Sequence, residues 1–99
     1  MQYLPIFTKL DNKPVLVVGG GEVALRWFCD ELKEHAQNND VTLIDAFFDE
    51  SHLDGKMLVI AATDNDDVNN NVFELANARN VFVNVVDDQP KCTFIFPSI

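Results

Sequence analysis

The residues whose spacing points most directly to chemistry are the glycines that follow the first apolar run of this chain. The apolar residues Val15–Val18 lead into the spacing Gly19-x-Gly21-x-x-Ala24, after which the pattern becomes helical. In a strand–turn–helix unit, the first glycine allows a sharp turn and the second lets the backbone approach a phosphate. The unpaired N–H groups of the helix start attract anionic oxygens. The pattern predicts a pyrophosphate site; a turn that binds nothing is the alternative.

The elements that must position this turn alternate between apolar strands and amphipathic helices. Helices are expected over about 22–38 and after Thr63 or Asp64, either of which can cap the second one. Such alternation indicates an α/β, Rossmann-like three-layer fold with a mainly parallel sheet, in a single domain spanning residues 1–99. The strands expected to be neighbours are Val15–Val18, Val41–Ile44, Leu58–Ala61 and 81–85, with a fifth at 93–96.

Several acidic and small residues come directly after these strands, where ligands of open parallel sheets bind. Asp45 follows the glycine turn at about the 20-residue spacing of an acid that binds the ribose of a dinucleotide. Asp87 and Asp88 follow the fourth strand. A carboxylate there could accept a proton as hydride leaves a substrate, although adjacent acids in a turn are often only solvated.

The composition narrows the classes of partner. The chain has 99 residues and a net charge of −9, from 16 acidic and 7 basic residues. Because this charge repels nucleic acid and anionic membranes, neither is expected as a partner. No secretory or membrane-spanning pattern occurs, so a cytoplasmic protein is expected. The cysteines and histidines are isolated, and no structural metal site is predicted: Cys29, Cys92, His35 and His52.

The chain resembles the N-terminal module of bacterial siroheme synthase over nearly its whole length. The segments that carry the resemblance occur in order: Leu4-Pro5-Ile6-Phe7, Val17-Val18-Gly19-Gly20-Gly21-Glu22-Val23-Ala24, Ile60-Ala61-Ala62-Thr63-Asp64, Asn84-Val85-Val86-Asp87 and Phe94-Ile95-Phe96-Pro97-Ser98-Ile99. This module is the precorrin-2 dehydrogenase and sirohydrochlorin ferrochelatase unit. The resemblance therefore implies oxidation of the tetrapyrrole precorrin-2 with NAD as hydride acceptor, followed by insertion of Fe2+.

The resemblance also assigns roles to individual residues. Asp87 corresponds to the family's aspartate implicated in both steps, and is the expected catalytic residue. The residues expected to contact the cofactor are Gly19, Gly21, Glu22, Val23, Ala62 and Thr63.

Two departures from the family pattern affect the expected site. About one strand with its flanks is missing after Arg26, and the chain ends at Ile99, where the family continues into a dimerisation region. In the family, the missing strand carries contacts to the ribose. By alignment Asp45 belongs to a later strand and is an exposed acid; if that strand moves into the vacated place, Asp45 takes the ribose position.

The missing strand also bears on assembly and activity. Loss of a strand exposes apolar flanks and unpaired edges, so a homo-oligomer is expected, with contacts among Phe47, Phe48, Phe94 and Phe96. Three functions stay open: a dehydrogenase module, a non-enzymatic nucleotide sensor, and a folded fragment that binds nothing.

Overall fold

The described part of the chain forms a four-stranded parallel sheet. A computed structural model describes residue 4 and residues 13–19, 41–44, 47–86 and 88–94. The strands are β1 (Val15–Val18), β2 (Val41–Ile44), β3 (Leu58–Ala61) and β4 (Phe82–Val85), in the spatial order β2-β1-β3-β4. All three pairings are parallel, as predicted. The fold is therefore α/β and Rossmann-like, and the bounds of these four strands match the sequence prediction except that β4 starts one residue later.

The burial of the strands follows their position in the sheet. Every residue of the central strands β1 and β3 is buried, as continuous apolar runs predict. The outer strands are partly exposed, with Leu43 of β2 at 41% and Phe82 of β4 at 38%. The two central strands therefore lie within the apolar core of the sheet, and the two outer strands face water in part.

In the described part of the chain, the α-helix α1 (Asp66–Ala78) packs against the sheet through Val72 and Ala76. Its N-cap is Asn65, whose Oδ1 accepts hydrogen bonds from the N–H groups of Asp67 (2.9 Å) and Val68 (3.2 Å). The expectation of Thr63 or Asp64 as the cap was wrong. Asn65 satisfies two N–H groups that the helix start leaves unpaired, and acidic residues in the first turn suit the helix dipole.

The helix ends in a left-handed turn that leads directly into β4. Asn80 has φ of 58°, its N–H donates to Asn77 O, and the N–H of Val81 donates to Ala76 O at 2.9 Å. These two bonds form a Schellman motif, which asparagine tolerates at the left-handed position. Val81 is consequently buried as part of the turn rather than as a strand residue.

The connection between β2 and β3 contains a 3-10 helix, Glu50–Leu53. The carboxylate of Asp49 accepts a hydrogen bond from Ser51 N, while Asp49 N donates to His52 Nδ1 at 2.9 Å. The hydrogen bond from the Ser51 hydroxyl lowers the pKa of Asp49. Leu53 is buried in the same core cluster as Val72 and Ala76 of α1.

Two further predicted elements fall partly or wholly outside the described residues. The helix expected over 22–38 lies outside them. Thr93 and Phe94 form a bend beside β4 rather than the start of a fifth strand, and residues 95–96 lie outside the description. The backbone N–H of Thr93 donates to Val83 O at 2.8 Å, and Val83 N donates to the Thr93 hydroxyl. Within the described ranges, no helix is long and apolar enough to cross a membrane.

Candidate functional site

The carboxyl ends of β1, β2 and β3 are joined by backbone hydrogen bonds just beyond the strands. The N–H of Gly19 donates to Ile44 O at 2.7 Å, and the N–H of Ala62 donates to Val18 O at 2.8 Å. Three of the residues predicted to contact a cofactor, Gly19, Ala62 and Thr63, therefore lie together at this edge. It is the edge at which ligands of open α/β sheets bind.

Gly19 forms the sharp turn that the sequence predicts at the end of β1. Its φ is +77°, and a Cβ at this position would lie 2.6 Å from Cγ2 of Thr63 and 3.0 Å from Thr63 N. Both the backbone conformation and the lack of space require glycine here. Because its N–H is already bonded to Ile44 O, a phosphate at this turn would have to bind N–H groups further along the chain.

Thr63 is held in place by the side chain of Asn69. The Asn69 Oδ1 accepts hydrogen bonds from Thr63 N (3.2 Å) and from the Thr63 hydroxyl (2.6 Å). The Asn69 Nδ2 donates to Thr63 O at 3.0 Å. One amide side chain thus binds the N–H, the C=O and the hydroxyl of a single residue, and it does so while only 7% exposed.

Asn65 completes the hydrogen bonding around Thr63. Its N–H donates to the Thr63 hydroxyl oxygen at 3.2 Å, and its own side chain caps α1. The Thr63 hydroxyl has one proton, and Asn69 Oδ1 is a closer acceptor than Asn65 O, at 2.6 Å against 3.0 Å. In the described part of the chain, every buried side-chain nitrogen and oxygen has a hydrogen-bond partner.

Asn69 is the site residue that the sequence analysis missed. The run Asn69-Asn70-Asn71 is typical of a polar, solvated helix face, and Asn70 and Asn71 fit that description better than Asn69 does. Helical spacing could have distinguished them, because Asn69 precedes the buried Val72 and Ala76 by three and seven residues.

The strand β2 lies directly beside β1, with Val15 opposite Val41 and Val18 opposite Ile44. The sequence analysis left open whether this strand takes the place vacated by the missing strand. In the structure it is the immediate neighbour of β1. Asp45, which follows Ile44 in the chain, lies outside the described residues.

The other predicted site residues also lie outside the described residues: Gly21, Glu22, Val23 and Asp87. The two neighbours of Asp87 are both anchored at the same edge of the sheet. The N–H of Val86 donates to Ala61 O at 3.0 Å, and the N–H of Asp88 donates to Val85 O at 3.1 Å. The Asp88 carboxylate pairs with Lys91 at 3.6 Å, on a partly exposed surface.

Residues suited to metal binding or thiol chemistry are sparse around this edge. Among the residues that the structure describes, no three His, Cys, Asp or Glu side chains are grouped so as to hold a metal ion. Cys92 is buried, and its Sγ lies 3.3 Å from Val85 O and from Asp88 O. Burial raises the pKa of its thiol, so the group keeps its proton near neutral pH.

A parallel sheet with a glycine turn at its carboxyl edge defines this chain as a Rossmann-like nucleotide-binding domain. Residues 26–98 match the family model described as "Putative NAD(P)-binding", and the chain belongs to that family. The family match therefore supports a nicotinamide cofactor, and it does not distinguish NAD from NADP.

The most similar relatives include several siroheme synthases. Over 116 aligned positions covering 100% of this chain, the siroheme synthase of Pseudoalteromonas translucida is 65% identical, with 24% of its own length covered. Siroheme synthase 1 of Pectobacterium atrosepticum is 48% identical, with 24% covered, and that of Cronobacter sakazakii is 46% identical, with 25% covered. These matches confirm the resemblance. The chain spans about a quarter of the length of these relatives.

The alignments also support the inference that the chain lacks an internal segment present in these relatives. They extend over 116 positions whereas the chain has 99 residues, so 17 aligned positions have no counterpart in this chain. The family match begins at Arg26, the residue after which the sequence analysis places the missing strand.

Proposed function

We propose that this chain is an NAD-dependent dehydrogenase module that oxidises precorrin-2 to sirohydrochlorin in siroheme biosynthesis. The observation that carries the proposal is the glycine turn at Gly19, packed on Thr63 where three parallel strands end. The similarity to siroheme synthases supports the substrate class.

The described part of the site fits a dinucleotide. The turn has no side chain at Gly19, and Thr63 and Ala62 are both partly exposed beside it. We assign the pyrophosphate to the N–H groups of the residues that follow Gly19 in the chain, among them Gly21, Glu22 and Val23, with Gly21 chosen because it has no side chain. When bound, NAD supplies the acceptor for a hydride.

We assign Asp45 to the ribose of the adenosine half. The pairing of β2 with β1 supports this role, since Asp45 directly follows Ile44, whose carbonyl binds the Gly19 N–H. A carboxylate there would accept hydrogen bonds from the ribose hydroxyls and repel the 2′-phosphate of NADP. The proposal is therefore specific for NAD.

We assign Asp87 as the proton acceptor in the oxidation. Removal of two hydrogens from precorrin-2 releases a hydride, which the nicotinamide takes, and a proton, which a base must take. The hydrogen bonds of its two chain neighbours, Val86 and Asp88, to Ala61 and Val85 at the carboxyl edge support this assignment. The same carboxylate would accept pyrrole protons as Fe2+ enters sirohydrochlorin, if the chelatase activity is also present.

We also propose that the protein forms a homo-oligomer and is located in the cytoplasm. Phe47 is 91% exposed and is available for contact with a second copy. Phe48 and Phe94, by contrast, already pack against the chain's own core clusters, which makes them poor contact residues. Phe96 lies outside the described residues.

The experiment that tests the proposed function is a turnover assay with precorrin-2 and either NAD+ or NADP+. We expect one NADH and one sirohydrochlorin for each precorrin-2 consumed, with NAD+ strongly preferred. Nucleotide binding without NADH formation would replace the proposal with a sensing role. Absence of both binding and turnover would leave a folded fragment without a ligand.

A further inference from the structure

We infer that Asn69 is a positioning residue of the nucleotide site, which acts by holding Thr63 against the Gly19 turn. The inference rests on the proposed nucleotide binding but concerns a residue that neither the sequence motif nor the family resemblance assigns. It is carried by the three hydrogen bonds that join this one side chain to Thr63.

Only an amide side chain can make this set of bonds. Asn69 accepts from Thr63 N and donates to Thr63 O, so it needs an acceptor and a donor on the same short side chain. A carboxylate lacks the donor, and a leucine of similar size lacks both. Because Asn69 is 7% exposed, water cannot readily replace a lost bond.

Because Thr63 packs against Gly19, the hydrogen bonds from Asn69 to Thr63 also restrain the turn at Gly19. The Cγ2 of Thr63 lies 2.6 Å from the position that a Cβ of Gly19 would occupy, and its Cα and N lie 3.0 Å from that position, so Thr63 forms one wall of the turn. Gly19 in turn binds Ile44 O. Asn69 therefore links α1 to the carboxyl ends of three strands, at the place where the pyrophosphate is proposed to bind.

The test compares Asn69→Ala with the matched control Val72→Ala on the same helix. Val72 is fully buried in the core one turn further on and takes no part in the Thr63 hydrogen bonds. We expect both variants to lower thermal stability, because each removes a buried side chain. We expect Asn69→Ala to weaken NAD+ binding by about tenfold or more, and Val72→Ala to leave it within about twofold.

A second measurement, made without nucleotide, separates failure of this inference from failure of the proposed function. Hydrogen exchange of the Gly19 N–H should accelerate by about tenfold or more in Asn69→Ala relative to Val72→Ala, while Leu16 and Val17 exchange alike in both. If Asn69→Ala does not fold, Asn69→Ser replaces it, since a hydroxyl is too short to span Thr63 N and O.

The outcomes test the positioning role of Asn69 and the proposed function separately. Equal exchange of the Gly19 N–H in the two variants, or equal loss of NAD+ affinity, overturns the positioning role of Asn69. A wild-type chain that binds no NAD+ overturns the proposed function, and the exchange measurement alone then decides whether Asn69 holds the turn.

Discussion

Gly19 and Thr63 pack so closely that a Cβ on Gly19 would lie 2.6 Å from the Thr63 methyl carbon. The contact joins the ends of β1 and β3, and it leaves the turn after β1 without side-chain bulk. A nucleotide-binding turn must let a phosphate approach the backbone, so the same contact that stabilises the fold also shapes the proposed site.

The first prediction separates the backbone conformation of Gly19 from its packing. Gly19→Ala and Gly55→Ala both place a side chain on a residue with positive φ, +77° and +72°, but a Cβ on Gly55 meets nothing within 4 Å. Gly55→Ala should cost about 1 kcal/mol of unfolding free energy, and Gly19→Ala about 3 kcal/mol or more, because it adds a clash.

Urea unfolding of the two variants measures this difference, and a nucleotide titration accompanies it. NAD+ affinity should fall in Gly19→Ala alone. Equal stability losses in the two variants would show that the close contact with Thr63 is not a feature of the folded protein.

The second prediction concerns the acid that follows β2. Asp45→Ala should weaken NAD+ binding by about tenfold, because the ribose hydroxyls lose a charged acceptor, and should narrow the preference over NADP+. Glu74→Ala is the control, since it removes the same charge from an exposed position on α1. Calorimetric titration with both nucleotides gives the affinities. Unchanged NAD+ affinity in Asp45→Ala would mean that Asp45 is only a surface carboxylate.

The third prediction is that Asp87 acts in catalysis and Gly21 in cofactor binding. Asp87→Ala should abolish precorrin-2 oxidation while leaving NAD+ affinity nearly unchanged, because the carboxylate acts on the tetrapyrrole. Gly21→Val should instead weaken NAD+ binding, and should lower turnover only through that loss, since a branched side chain would occupy the place of the pyrophosphate. Steady-state turnover and binding are measured together. The control is Asp88→Ala, whose carboxylate is paired with Lys91 and should be dispensable.

The assignment of separate roles to Asp87 and Gly21 is wrong if Asp87→Ala weakens NAD+ binding as much as Gly21→Val does. It also fails if Asp88→Ala abolishes oxidation and Asp87→Ala does not.

The sequence was sufficient to predict the sheet because the buried strands consist of uninterrupted apolar residues. The four apolar residues of Val15–Val18 are typical of a central strand, and this strand is central in the sheet, as is Leu58–Ala61. The position of β2 was left open, since a missing segment changes which strands are neighbours without changing the pattern of Val41–Ile44. That choice depends on tertiary pairing and could be made only from the structure.

The hydrogen-bond network around Thr63 was beyond sequence reasoning for a different reason. Asparagine is common on exposed helix faces. Helical spacing could have placed Asn69 on the buried face, but only the packed structure shows its hydrogen bonds to Thr63. The helix cap was missed similarly, because Thr63, Asp64 and Asn65 are all good capping residues and the structure selects the last of them.

The fourth prediction concerns pH and Cys92. Burial raises the pKa of its thiol, so the folded protein favours the protonated form. The resulting stability is fully present below the unfolded-state pKa of about 8.5, and it is lost as the pH rises through that value toward the folded-state pKa. Unfolding free energies at about pH 7 and about pH 10 should differ less in Cys92→Ala than in the wild type. An equal difference in both would assign the loss to other groups.

The measurement that tests the central claim most directly is an NMR titration of the wild-type chain with NAD+. If the carboxyl edge of the sheet is a nicotinamide nucleotide site, the amide signals of Gly19, Ala62 and Thr63 should shift and saturate together. Signals from the opposite end of the sheet, such as Val15 and Leu58, should stay in place. Thermal unfolding at a hundredfold excess over the dissociation constant should show about 2.7 kcal/mol of added stability. Absence of any saturable shift, or shifts confined to the opposite end of the sheet, would contradict the account.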